Sequence, residues 1–524
     1  MRGHLPVLVA SLALLLAPCA ARGAAAEALR PASSRDEEPP RPALVVSMSP
    51  RITRIEIDLT LDPSTGLIRE IVTATVSGDG ISSLAFRLQE GLVVEKSMAG
   101  AGVVDHRKAG NDLTVDLDPP IQGTRTIGFE ISGRPRRSGK DLVERDRAVL
   151  GPDDDWYPRA PFTWAETEVA VRVPKGWTAV APGSRGDSGK EEESGVWRWK
   201  TSKPVRGVAV AAAPGLTLSS GQAVGVDFRL AAPAAGPRLD AVLKGLSEPM
   251  AWFAGALAPY PFDGFNLVLL PGATGRTRSA GMLVAPLAAP LGGPGDGADF
   301  LAGQWFGERL LGDGGWMDAF AAWEATVFTR DRAIPLPAEI ARLREAYLAS
   351  GARDVPLSGA GFDAAPEVLR GKGSAAPDMV RLAAGDREFF DAVRDLFVAP
   401  VGAPWTLRAL QAAIEKRSGR ALVRPFADWF DRTGVPEFET TLRVVPSSTG
   451  GYRADLTIRQ RRGLYALPVD VVFLAAGEEH RETVEVDGED TSVFYVLPFE
   501  PVRVEFDPLS KIFKWPTVTN PGAP

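Results

Sequence analysis

Cysteine and histidine are nearly absent from this chain, which has one cysteine and three histidines in 524 residues. Cys19 lies close to the N-terminus, so everything after it lacks a thiol for disulfide formation, metal ligation or nucleophilic attack. Stability must come from burial, which a chain of this length can supply through several packed domains. His4, His106 and His480 are widely separated, and none has a partner at metal-ligand spacing or a neighbouring GxSxG-type nucleophile motif. Beyond the N-terminal segment no apolar run is long enough to cross a bilayer. A basic footprint is also missing: the net charge is -7, and the arginine clusters are short, which argues against a nucleic-acid partner.

The chain begins with Arg2, an apolar run from Leu5 to Pro18, and mostly small residues from Ala20 to Ala26, the order of a secretory signal over residues 1–26. Cleavage after Ala21 or Ala26 is expected, with export to the periplasm or the medium. A lipid anchor at Cys19 is the less favoured alternative, because Pro18 spoils the lipobox. Residues 27–48, rich in Pro, Ser, Arg and Glu, read as a flexible linker.

From 49 to 218 the apolar residues alternate, as in Ile55, Ile57, Leu59, Leu61, then Val72, Ala74, Val76, then Leu84, Phe86, Leu88, then Leu113, Val115, Leu117, which predicts an all-β domain. The period changes near Pro237: Leu239, Val242, Leu243, Leu246, Met250 and Phe253 share one helical face. A glycine-containing turn is expected over 272–281. Helical patterns recur over 299–311, 316–329, 336–348, 377–382, 388–397 and 406–417, with Thr406 as an N-cap and Gly419 as a stop. After Gly434-Val435-Pro436 period two returns, predicting a C-terminal β-sandwich over 434–515 and a tail over 516–524. The fold class is thus α+β multidomain, with an all-β region, a mixed middle region over 219–433 and a β-sandwich.

Several phrases occur in the collinear order of one known family. They are Asp155-Trp156-Tyr157-Pro158 with Pro161-Phe162, Pro174-Lys175-Gly176-Trp177, Trp197-Arg198-Trp199-Lys200, Pro259-Tyr260-Pro261-Phe262, Gln304-Trp305-Phe306-Gly307 and Gly434-Val435-Pro436. Together they resemble the gluzincin zinc metallopeptidases typified by membrane alanyl aminopeptidase, over about residues 50 to 515. The resemblance implies a thermolysin-like middle domain and a zinc held by an HExxH helix just ahead of Gln-Trp-Phe-Gly, with a glutamate from the next helix as third ligand.

At those positions this chain has Asp299 and Gly303 for the histidines and Phe300 for the general base. The third ligand falls on Ala322, or on Ala319 if Trp316-Met317-Asp318 sets the register. The family's amine-binding glutamate corresponds to the stretch holding Arg276 and Arg278, and its transition-state tyrosine to Arg370 ahead of Lys372-Gly373. No zinc or other cofactor is therefore expected. The sequence favours a catalytically inactive, exported relative that binds a protein or peptide partner. Asp296, Asp299, Asp313, Asp318 and Glu324 keep open the alternative of a hydrolase with a rearranged, oxygen-liganded site. Arg276, Arg278 and Glu324 are the weak ligand-binding candidates, the two arginines toward an acidic group. No motif specifies the partner or the oligomeric state.

Overall fold

Alternation in the first domain resolves into an eight-stranded sheet in which Arg51–Asp62 and Leu67–Ser77 lie centrally, flanked by Glu166–Arg172 on one side and Thr124–Gly133 on the other. The computed structural model describes residues 50–160, 163–186, 195–289, 296–312, 316–331, 336–349, 354–359, 368–399 and 404–521. The N-terminal segment with Cys19, the linker, Pro161-Phe162 and Asp313 lie outside the described residues. Arg51–Asp62 pairs antiparallel with Leu67–Ser77 and parallel with Glu166–Arg172. Ile55, Ile57, Leu59 and Leu61 all point into the core, as period two requires.

The middle domain is built on a five-stranded sheet, in the order Leu216–Ala223, Val226–Pro233, Phe265–Leu270, Met282–Pro286 and Thr277–Ser279. Its inner pairs are parallel and both edge pairs antiparallel. Phe265–Leu270 is buried along its whole length because both faces are covered. On one face, Val268, Leu270, Met282 and Val284 join the core of the N-terminal domain. On the other, Phe265, Leu267, Leu269 and Leu283 pack with the helices.

Those helices are α1 (Leu239–Ala256), α2 (Asp296–Leu301), α3 (Trp316–Asp331), α4 (Leu336–Ala349), α5 (Ser374–Ala384), α6 (Asp386–Val398) and α7 (Leu407–Ser418). The Thr406 side chain accepts from the Ala409 amide at 3.0 Å, and Gly419 closes α7 in the left-handed region at φ 66°. Thr406→Ala is expected to destabilise the protein by about 1 kcal/mol, read as a lower Tm with unchanged far-UV circular dichroism.

The C-terminal region is a sandwich of two sheets, one containing Glu437–Pro446, Tyr452–Arg462 and Asp490–Leu497, the other Leu467–Ala475, Glu478–Val486 and Arg503–Phe506. Part of the stretch read as a tail forms a strand, Val518–Pro521, which pairs parallel with Glu437–Pro446 at the sheet edge. Its short, proline-ended pattern carries no alternation long enough to mark it. Among the described residues no helix is long and apolar enough to cross a membrane.

Candidate functional site

The helix expected over 299–311 ends at Leu301, at the end of α2. Gly303 and Gly307 adopt φ 83° and 90°, which break the right-handed path, so Gln304-Trp305-Phe306-Gly307 runs as successive turns. Two glycines four residues apart are the sequence signal for this break. A buried carboxylate holds the opened turn: Glu324, on α3, accepts the Phe306 amide at 2.9 Å on one oxygen and the Gly303 amide on the other. Burial pushes its pKa up to about 8, against the pull of the two amides. Gln304 pins the same turn from the other side, donating to the Ser279 carbonyl at 3.1 Å and accepting the Gly281 amide at 2.8 Å. Trp305 is fully buried, its indole donating to the Ala258 carbonyl at 2.8 Å, and Phe306 packs on Phe320 with centroids 4.7 Å apart.

Arg278 enters this turn from the edge strand Thr277–Ser279, a strand inside the stretch read as a glycine-containing turn. Its guanidinium lies against the backbone of Gly303 and donates to the Ala302 carbonyl at 3.3 Å. A Cβ at Gly303 would stand 2.1 Å from Nη1 and 2.2 Å from Cζ of Arg278, and one at Gly307 would stand 3.3 Å from Nη2. The space into which a side chain at position 303 would project is therefore filled by the guanidinium.

Acidic groups surround it. Glu308, only 3% exposed, places Oε1 3.5 Å from Arg278 Nε, while its Oε2 has no hydrogen-bond partner. Burial raises the pKa of Glu308, opposed by Arg206 and Arg278, and Asp318 on α3 is raised for the same reason and opposed by the same arginines. Arg206, in the first domain, also donates to Asp153 at 3.4 Å, so its charge acts on Glu308 from the β domain. Neither Glu308 nor Arg206 stands out in the sequence, since each gains meaning only through contacts made distant in the chain.

The other positions singled out by the resemblance lie on α2, on α3 and in the turn ahead of α5. Phe300, on α2, is buried, with the Arg276 guanidinium 4.7 Å from its ring centroid. Asp299 lies on the same helix, as does Asp296. On α3, Ala319 is fully buried where Gly373 approaches it: a Cβ at Gly373 would sit 3.4 Å from the Ala319 Cα. Ala322 is one turn further along α3. Arg370 falls in a π-helical turn, Leu369–Gly373, whose Lys372 is fully buried. Lys372 donates to the Arg432 carbonyl and lies 3.4 Å from Asp354, which accepts the Tyr347 hydroxyl at 2.9 Å and the Gly434 amide. That cluster ties the helices to the segment leading into the sandwich.

These residues do not fit a zinc ion. The space that a side chain at 303 would enter is occupied by a cation, Glu324 has both oxygens on backbone amides, and Ala319 is packed against Gly373. Among the described residues no three His, Cys, Asp or Glu side chains are grouped to hold a metal. His106 instead faces Ser97 at 2.9 Å and His480 faces Glu482 at 2.8 Å, each on a strand of an outer domain.

No protein-family model matches the sequence, and no curated protein matches it. Solved structures do. The M1 zinc metallopeptidase from Deinococcus radiodurans superposes with a TM-score of 0.64 at 19% identity, over 74% of this chain and 94% of that one. A point mutant of the Deinococcus radiodurans enzyme bound to a Tyr-Ser-Ala substrate gives 0.63 at 20% identity, over 74% and 95%. A mutant two-domain M1 zinc metallopeptidase bound to L-tryptophan gives 0.64 at 18% identity, over 74% and 95%. Over the 74% of the chain that superposes, it thus follows the fold of the M1 zinc metallopeptidases, the gluzincin aminopeptidase-like fold that the sequence resemblance implied.

Proposed function

We propose that this protein uses a peptidase fold for binding rather than for peptide hydrolysis: an exported scaffold or binding protein whose partner is a protein or peptide. The observation that carries the reading is the Arg278 guanidinium lying where a side chain from position 303 would have to point. A cation at that point opposes a metal dication and a peptide's protonated amino terminus alike. Phe300, buried at the position of the general base, offers no group to take a proton from water. The mildly acidic net charge and the absence of a basic patch in the sequence favour a protein or peptide over nucleic acid.

Elemental analysis tests this directly. Protein exposed to excess zinc and then dialysed is expected to retain well under one equivalent, and to hydrolyse aminoacyl anilides and short peptides no faster than its Phe300→Ala variant with any divalent ion. Stoichiometric zinc, or turnover of these substrates above the uncatalysed rate, would overturn the proposal.

A further inference from the structure

We infer that the degenerate centre is a guanidinium-binding site, occupied in cis by Arg278. This rests on the reading above and names the chemical class the site accepts. A guanidinium needs a flat slot with acceptors around its edge. The turn supplies the slot, because Gly303 lacks the Cβ that would fill it, and a Cβ at Gly307 would press on Nη2 at 3.3 Å. The edge is supplied by the Ala302 carbonyl at 3.3 Å from Nη1 and the Glu308 carboxylate at 3.5 Å from Nε.

These acceptors do not satisfy the occupant fully: Arg278 Nε and Glu308 Oε2 are both buried without a hydrogen-bond partner, and Asp318, on α3, feels the Arg278 charge. Such an arrangement favours a delocalised cation with several N–H donors and disfavours a bare ammonium, which has one small charge centre and no planar fork. Arg278 comes from a three-residue edge strand, so the occupant is tethered by a short element at the margin of the sheet.

Shortening Arg278 should therefore vacate a site that a free guanidinium can enter. The Arg278→Ala variant is titrated with millimolar methylguanidinium while its Tm is followed. A saturable rise that obeys ligand linkage is expected, with no comparable rise from methylammonium, urea or sodium chloride at equal concentration. Wild type, its slot filled, is expected to give no rise, and so is Arg278→Met, whose side chain fills the slot without the charge. If Arg278→Ala does not fold alone, the titration is run as a refolding assay, in which methylguanidinium but not methylammonium restores the native circular dichroism. No saturable response of Arg278→Ala in either format, or an equal response in wild type or Arg278→Met, would overturn the inference. Zinc content is measured on wild type and this response on the variant, so each reading can fail without the other.

Discussion

Gly303→Ala is expected to lower stability by about 2–5 kcal/mol. Two costs combine. The residue sits at φ 83°, where a Cβ costs about 1–2 kcal/mol. The same Cβ would lie 2.1 Å from Nη1 of Arg278, so the guanidinium must leave its carbonyl and carboxylate partners, adding about 1–3 kcal/mol for overpacking. A double-mutant cycle separates the two. In an Arg278→Ala background the substitution should cost only the backbone part, and denaturant unfolding of the four proteins measures the coupling. Equal costs in both backgrounds would show that the two residues are not in contact. A histidine at 303 brings more atoms into the same space and is expected to be worse than alanine.

Glu70 offers the opposite case, a residue whose removal should stabilise. It lies on the core face of Leu67–Ser77, paired across the sheet with Leu59 and Ile131, and neither oxygen has a hydrogen-bond partner. Desolvation holds its pKa well above the ordinary 4.5. Because the folded-state value is the higher one, the folded chain binds a proton that the unfolded chain releases above pH 4.5. Stability from this group is present below that pH and is lost as pH rises toward the folded value. Glu70→Leu is expected to raise the unfolding free energy near neutral pH by about 1–3 kcal/mol, since an unsatisfied buried polar group is removed. Glu70→Gln should keep the shape while flattening the fall that sets in above pH 4.5. Melting curves across that range check both, and a slope unchanged in Glu70→Gln would mean that Glu70 is not the group titrating.

Glu70 also shows how much is legible in the sequence. The alternation Val72, Ala74, Val76 marks the strand, and extending it back by two steps through Glu70 to Ile68 places the acid inward. A carboxylate interrupts the apolar pattern, so the strand's apolar signature starts later than the strand itself. The helix α7 is readable to its ends because Thr406 and Gly419 act locally, through bonds to atoms three or four residues away. The run from Asp299 to Leu311 reads as one helix yet is not, because Glu324, which holds the turn open, acts from another helix and leaves no mark in the local pattern. Arg278 is visible in the sequence as a cation where the resemblance leads one to expect an anion. That it folds into the turn at Gly303 depends on the register of Thr277–Ser279 against Met282–Val284, which a three-residue strand does not announce.

The central sheet of the middle domain has one face in the core of the N-terminal domain and the other among the helices, whose core continues into the sandwich. A boundary that is sharp in the sequence, where the apolar period changes, is therefore not a seam in the folded molecule. Cutting the chain at that point would strip one side of Val268, Leu270, Met282 and Val284 of its cover and leave an oily wall facing water. The three regions are joined like rooms that share a supporting partition, so the furnishings of one room can change while none of its walls can be taken down.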